Sequence, residues 1–190
     1  MIIGVEGNVH SGKTTYINNF LKANSDFVAV PECKFDESLS DYARQLYYLQ
    51  QEREKKENYL QTNLIMDRTI LSTLCYTAFC KELSDDERTV LFNDIYNDII
   101  DNKYLLFDKL SYIVCGWNIV KDNHKELKAK KNTQDILAEN SYLDFYNYTF
   151  EEWFKGVEIL DKVELGERLI TTYNGREILD NVIAWLKERI

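Results

Sequence analysis

The stretch GNVHSGKT at residues 7–14 constrains the fold more strongly than any other part of the 190-residue sequence. It follows the apolar run IIGV and precedes TTYINNFLKAN, whose apolar residues have helical spacing. The pattern G-x-x-x-x-G-K-[ST] between a strand and a helix is typical of a phosphate-binding loop. Main-chain N–H groups and the helix N-terminus attract the anion in such a loop. The sequence therefore predicts phosphate contacts from Gly7, Asn8, Val9, His10, Ser11, Gly12, Lys13, Thr14 and Thr15.

Within this loop, Lys13 is expected to reach the outer phosphates and Thr14 to bind Mg²⁺. His10 has two interpretations, a catalytic histidine or a side chain that only fills the loop, and the second is favoured.

Apolar runs alternate with helical patterns along the rest of the chain. Strands are predicted at 2–6, 27–30, 63–66, 112–116 and 168–173, and helices at about 14–24, 39–57, 70–81, 85–100, 135–154 and 176–190. Strands separated by helices predict a doubly wound parallel sheet, in which ligands bind beyond the carboxyl ends of the strands. We expect one α/β domain over 1–190, with a five-stranded parallel sheet flanked by helices.

Composition restricts the partners. Lys and Arg number 23 and Asp and Glu number 32, a formal charge of −9 that repels nucleic acid and anionic membranes. No apolar stretch reaches membrane-spanning length, and the first residues lack the features of a signal peptide, so a cytoplasmic protein is expected. The four scattered cysteines form no C-x-x-C pair, which favours reduced thiols over a zinc site.

Acidic residues follow two of the predicted strands. Glu32 comes directly after the second strand and Pro31, and it could accept the proton of a hydroxyl nucleophile. Asp67 ends the third strand, where an acid orients Mg²⁺ in phosphate-binding folds, and Arg68 could stabilise charge on a transferring phosphoryl group. The alternatives are a solvated loop acid for Glu32 and a structural ion pair for Asp67 and Arg68.

The segments after the fourth and fifth strands carry weaker signals. The stretch at about 117–135 is basic within an acidic chain, and Lys125, Lys128, Lys130 and Lys131 either form a lid over phosphates or a solvated helix face. Backbone groups near Asn174 and Gly175 are candidates to border an adenine.

One face of the helix after Glu32 combines a carboxamide with apolar and aromatic side chains. Tyr42, Gln45, Tyr48 and Leu49 lie near this face. A carboxamide there can pair with the edge of a nucleobase while the rings stack on it. Core packing with Gln45 at the rim is the alternative interpretation.

Four segments together resemble a known family. IIGVEGNVHSGKTTYINNFL, VPE, RQLYYLQQER and NLIMDRTILSTLCY look like the deoxynucleoside kinase and thymidylate kinase group of P-loop kinases, which implies a three-layer P-loop NTPase sandwich. The resemblance implies that Glu32 is the base for a 5′-hydroxyl, that Arg68 contacts phosphates, and that Gln45 reads the base, with Gln50 and Gln51 as alternatives. The chain has Pro-Glu where deoxynucleoside kinases usually have Glu-Pro, and Asp before Arg68 as in thymidylate kinases.

These observations predict phosphoryl transfer from ATP, with Mg²⁺, to the 5′-hydroxyl of a deoxynucleoside. The alternatives are a nucleoside monophosphate kinase of thymidylate type and a nucleotide-binding switch. The substrate is in either kinase a small nucleoside or nucleotide, and nucleic acid and membranes are not expected as partners. Kinases of the resembled family are often homodimers, and the aromatic helices are candidates for such an interface.

Overall fold

The computed structural model describes residues 1–116 and 133–190, and the side chains of all of these except 133–140. Within these ranges the chain forms six strands and six helices. The strands are β1 (Ile2–Gly7), β2 (Val28–Val30), β3 (Leu64–Asp67), β4 (Lys109–Cys115), β5 (Ile159–Leu165) and β6 (Arg168–Asn174). The helices are α1 (Lys13–Ala23), α2 (Asp41–Asn58), α3 (Ile70–Phe79), α4 (Asp85–Ile100), α5 (Thr133–Trp153) and α6 (Gly175–Lys187).

The strands form one sheet in the order β2-β3-β1-β4-β6-β5. Strands β2, β3, β1 and β4 are parallel, as predicted. Strand β6 is antiparallel to β4, and β5 is antiparallel to β6. The predicted α/β sandwich is therefore confirmed, but the sheet has six strands instead of five and is mixed instead of wholly parallel.

The additional strand is β5, which sequence patterning missed. Every residue of ILDKVEL is exposed at the sheet edge, and its charged side chains hide the alternation that a half-buried strand would show. A two-residue connection, beginning with Gly166 at φ +62°, joins β5 to β6. So short a connection can only return the chain antiparallel, since a parallel crossover needs a dozen or more residues.

The two faces of the sheet bury different side chains because neighbours along a strand point in opposite directions. Ile3 and Val5 of β1 pack with Ile17 of α1 on one face. Residues Gly4 and Glu6 alternate with them and face the opposite side. The larger cluster lies there, and it contains stacked rings of Tyr112, Tyr146 and Phe150 together with Trp153.

Helix starts follow local capping chemistry. Ser84 caps α4 and forms the reciprocal capping box with Glu87. None of the helices in the described ranges combines the length and hydropathy that a membrane crossing requires. Cys33, Cys75, Cys80 and Cys115 are free thiols, as predicted.

Candidate active site

The loop between β1 and α1 has the backbone geometry of a phosphate cradle. Gly7 has φ +148°, and a Cβ at this position would lie 2.5 Å from the carbonyl oxygen of Ile113. Gly12 has φ +95°, and His10 is also left-handed at φ +63°. Glycine is therefore required at the first position by contact with β4 and at the second by conformation.

The N-terminus of α1 lacks a side-chain cap. Its N-cap is Gly12, which makes no capping hydrogen bond, and the first turn contains no acidic residue. Helices α2, α3, α4 and α6 all begin with a side chain that accepts a backbone N–H, from Ser40, Thr69, Ser84 and Asn174. The N–H groups at the start of α1 are thus left for an anion, which the helix dipole also favours.

Lys13 lies folded back onto this loop. Its Nζ donates to the carbonyl oxygens of Gly7 at 3.0 Å and Asn8 at 2.9 Å, and the residue is buried. Burial and then the charge of Arg68 lower the pKa of Lys13 to about 8. A phosphate would replace neutral carbonyls with a charged acceptor, so it would restore the pKa and strengthen the contact.

The structure brings together Thr14 and Asp67, the two residues expected to bind Mg²⁺. The Thr14 hydroxyl donates to Oδ2 of Asp67 at 3.0 Å. The other carboxylate oxygen, Oδ1, is buried and has no partner among the described residues. A carboxylate with an unsatisfied oxygen beside a hydroxyl, at the edge of a phosphate loop, is a donor set that suits Mg²⁺.

A buried carboxylate that the sequence analysis did not assign organises the site. Glu6, at the end of β1, is fully buried. Its Oε1 accepts hydrogen bonds from the backbone N–H and the hydroxyl of Thr69 at 2.7 and 2.8 Å. Its Oε2 accepts from the hydroxyls of Ser72 at 2.7 Å and Tyr146 at 2.6 Å. Glu6 therefore holds together the end of β1, the start of α3 and helix α5.

Arg68 is positioned by this network. Its Nη1 donates to Ser72 Oγ at 2.9 Å and lies 3.9 Å from Oε2 of Glu6. Its backbone is left-handed, at φ +65°, which is uncommon for a non-glycine residue and is often found at functional sites. The network thus fixes both the backbone and the guanidinium of Arg68 at the end of β3.

The structure brings Glu32 and Arg68 together. Nε of Arg68 lies 2.7 Å from Oε1 of Glu32, whose side chain is about half exposed. Both residues line a cleft of about 470 Å³ that also borders Val9 of the phosphate loop. A small molecule in this cleft would therefore contact the carboxylate, the guanidinium and the edge of the loop together.

The described lining of this cleft combines four aromatic rings with charged and hydroxyl side chains. Helix α2 contributes Arg44, Tyr48 and Glu52, which are four residues apart and so share one helix face. Among the described residues the remaining lining comes from Cys33, Phe35, Thr69, Ser72, Thr73, Tyr76 and Tyr142. Arg44 lies over the Phe35 ring, 4.7 Å from its centroid. Planar rings together with charged and hydroxyl groups suit a flat, partly polar ligand.

Of the residues expected to contact the base from α2, Tyr48 lines the cleft, but Gln45 and Tyr42 do not. Gln45 is fully buried, and its Oε1 accepts a hydrogen bond from the Thr77 hydroxyl at 3.0 Å. Tyr42 packs against the large core cluster. The cleft is lined by a face that is offset from Gln45 by one residue, which is about 100° around an α-helix.

The alternative glutamines have other contacts. Gln51 donates to the carbonyl of Lys34 and accepts from its backbone N–H, at 3.1 and 2.7 Å. Gln50 donates to Glu54 at 2.9 Å. Gln51 therefore holds the loop that carries Glu32, and neither glutamine lines the cleft.

The antiparallel direction of β6 changes which of its ends lies at the phosphate loop. Its first residue, Arg168, donates from Nε to the carbonyl oxygen of Ser11 at 3.0 Å. Its last residue, Asn174, pairs with Lys109 at the other end of the strands, away from the phosphate loop, and caps α6. The expectation that Asn174 and Gly175 border an adenine is therefore wrong, and Arg168 is a loop contact that sequence reasoning missed.

The predicted lid at 117–135, with Lys125, Lys128, Lys130 and Lys131, lies outside the described residues except for the start of α5.

Comparisons with known proteins bear on the fold. No protein-family profile and no curated protein matches the sequence. Deoxyadenosine kinase from M. mycoides with bound dATP superposes with a TM-score of 0.60 at 20% identity, over 82% of this chain and 84% of that one. The same kinase with the products dCMP and a flexible dCDP gives 0.58 at 20% identity, with 82% and 84% coverage.

A second kinase structure is also similar. Thymidylate kinase from Candida albicans gives a TM-score of 0.51 at 17% identity, with 77% of this chain and 76% of that chain covered. These similarities confirm the predicted fold, which this chain shares with both kinase structures.

Proposed function

We propose that this protein transfers the γ-phosphoryl group of ATP to the 5′-hydroxyl of a deoxynucleoside. The nucleoside would bind in the cleft lined by Glu32 and Arg68, which we call the acceptor cleft. The observation that carries the proposal is the pairing of Glu32 and Arg68 in a cleft that borders the phosphate loop. Neither group is needed for nucleotide binding alone, whereas both are needed where a hydroxyl must lose a proton beside a phosphoryl group. The kinase fold supports the same reaction class.

Each residue has a defined role in this reaction. The Glu32 carboxylate accepts the proton of the 5′-hydroxyl while the hydroxyl oxygen attacks the γ-phosphorus. As this bond forms, the bond between the γ-phosphorus and the β–γ bridging oxygen breaks, and ADP is released. The Arg68 guanidinium stabilises the negative charge on the transferring group, and Lys13 stabilises the charge on the β- and γ-phosphates. Ser72 and Glu6 hold the Arg68 guanidinium in place before the reaction, so this group needs little reorganisation in the transition state.

Thr14 and Asp67 are the residues that would hold Mg²⁺, on the evidence of the unsatisfied Asp67 oxygen. When bound there, the ion would supply charge neutralisation for the phosphates.

A thymidylate-type kinase is the second candidate, because the cleft also contains the guanidinium of Arg44, which an acceptor phosphate could approach. That guanidinium is already engaged, however, by Asp41 at 2.9 Å and by the carbonyl oxygens of Asp36 and Leu39 at 3.1 and 2.7 Å. We favour the nucleoside because an uncharged acceptor needs the base that Glu32 provides, and needs no phosphate clamp.

The substitution Glu32→Gln separates the two candidates. It keeps the shape of the side chain and removes its basicity. A nucleoside kinase should lose at least about a hundredfold in kcat, with little change in KM for the acceptor, because general-base catalysis typically contributes about 10²–10⁴-fold. Near-normal turnover, or activity only on monophosphates, would contradict the proposal. Glu37→Gln, an exposed acid in the same loop, is the matched control.

A further inference from the structure

Glu52 is a buried acid in the acceptor cleft that has no part in the proposed transfer. Its residue exposure is 2%, and it lines the cleft from α2. Oε1 of Glu52 accepts from Lys55 Nζ at 2.9 Å and from the Cys33 thiol at 3.1 Å. Its Oε2 is buried and has no hydrogen-bond partner in the part of the chain that the structure describes.

The partners of Oε1 determine what Oε2 can bind. Glu52 forms a buried ion pair with Lys55, and the carboxylate of such a pair can only accept hydrogen bonds. Burial and then the neighbouring Glu52 raise the pKa of Cys33, so the thiol keeps its proton and donates it to Oε1. Oε1 therefore accepts hydrogen bonds from two donors, whereas the buried Oε2 has no donor among the described residues.

Buried carboxylate oxygens in proteins are nearly always hydrogen-bonded, because leaving one unpaired costs more than a single hydrogen bond contributes. An unpaired oxygen on a residue that lines a cleft therefore indicates a donor on the ligand. The same cleft is also lined by the rings of Tyr48, Tyr76 and Tyr142 and by Thr73. Such walls suit a nucleobase, and the donor is then one of its N–H groups.

We propose that Glu52 makes the enzyme select nucleosides whose base carries an exocyclic amino group, which donates to Oε2. This inference rests on the proposed function. Adenine and cytosine present such an amino group on the edge of the ring. Uracil and thymine present only a ring N–H with a carbonyl oxygen on each side, and those oxygens would be repelled by the carboxylate.

The test on the unmodified protein compares two pairs of nucleosides: in one pair the amino group is replaced by hydrogen, and in the other it is replaced by a carbonyl oxygen. We expect kcat/KM for 2′-deoxyadenosine to exceed that for purine 2′-deoxyriboside by at least about tenfold, and kcat/KM for deoxycytidine to exceed that for deoxyuridine by more, since deoxyuridine adds repulsion. Equal values within each pair would overturn the inference while leaving the kinase proposal intact. Failure to phosphorylate any nucleoside would instead refute the proposed function.

The substitution Glu52→Gln adds a second measurement. An amide can turn either its oxygen or its NH₂ towards the base, so deoxyuridine should improve relative to deoxycytidine by about tenfold or more. A cooperative thermal unfolding transition establishes that the variant is folded. If the variant does not fold, the nucleoside comparison on the unmodified protein is the test of the inference. A folded variant with the original preference would overturn the inference. Glu54→Gln, an exposed acid on the same helix, should keep the original preference.

Discussion

The buried Glu6 network allows a quantitative prediction for the substitution Glu6→Gln. The carboxylate accepts four hydrogen bonds, two from Thr69 and one each from Ser72 and Tyr146. Glutamine preserves the volume but has no negative charge and only one acceptor oxygen. The backbone N–H of Thr69 cannot reverse its direction, so the amide nitrogen is expected to face the two hydroxyls of Ser72 and Tyr146, which can rotate.

The expected loss of stability follows from the change in these bonds. A hydrogen bond to a charged group contributes about 1.5–3 kcal/mol, and one between neutral groups about 0.5–1.5 kcal/mol. Each of the four bonds should therefore weaken by about 1 kcal/mol. An amide is cheaper to bury than a carboxylate, which offsets part of this loss. We expect the free energy of unfolding to fall by about 2–4 kcal/mol.

The assay is urea unfolding at 25 °C, monitored by far-UV circular dichroism, with phosphoryl transfer measured on the same preparations. Turnover of the Glu6 variant should also fall, because Arg68 would lose the carboxylate and the neighbouring hydroxyl that position it. Glu54→Gln should change the free energy of unfolding by no more than about 0.5 kcal/mol. A loss below about 1 kcal/mol for Glu6→Gln would refute the argument that this carboxylate organises the site.

Three further predictions concern the phosphate loop. Burial lowers the pKa of Lys13 to about 8, so the free protein loses this charge as pH rises through that value. ATP affinity, measured by calorimetric titration, should therefore fall by up to about tenfold per pH unit above pH 8. Constant affinity up to about pH 10 would contradict this. Gly7→Ala places a methyl group 2.5 Å from the Ile113 carbonyl and should weaken ATP binding at least about tenfold. Gly116→Ala, where none of the described residues comes within 4 Å of the added methyl group, should not. Arg168→Met removes a hydrogen bond to the loop and should weaken ATP binding by about threefold to tenfold; unchanged affinity would show that the contact is incidental.

The sequence predicts the first half of the fold well because its signals are local. The glycine pattern fixes the turn from β1 to α1, and Ser84 marks the start of α4 three residues before the acid that completes its capping box. The direction of β6 is different, because it depends on the strand beside it. Strand β5 carries no buried face, so its sequence gives no warning that β6 is reached by a hairpin and not by a crossover helix.

The candidate site divides in the same way. Lys13, Thr14 and Asp67 are predictable because a motif or a strand end specifies each of them. Glu6 is a single acid whose partners Thr69, Ser72 and Tyr146 are 63, 66 and 140 residues away, and no pattern of neighbouring residues indicates that they converge.

The face of α2 illustrates a further limit. Aromatic residues occur on several sides of this helix, so periodicity does not distinguish the face of Arg44, Tyr48 and Glu52 from that of Gln45. The packing of α2 against α3 makes the distinction, since Gln45 meets Thr77 there. A glutamine with good chemistry for base recognition is thus placed in the core by a rotation of one residue.

The most direct test of the whole account is the identity of the phosphorylated product. The purified protein would be incubated with ATP, Mg²⁺ and one deoxynucleoside at a time, and the products followed by phosphorus NMR. We predict a deoxynucleoside 5′-monophosphate formed in equal amount with ADP, and no product from the Lys13→Ala variant. ADP release that is the same with and without every nucleoside, or phosphorylation of monophosphates alone, would contradict the account.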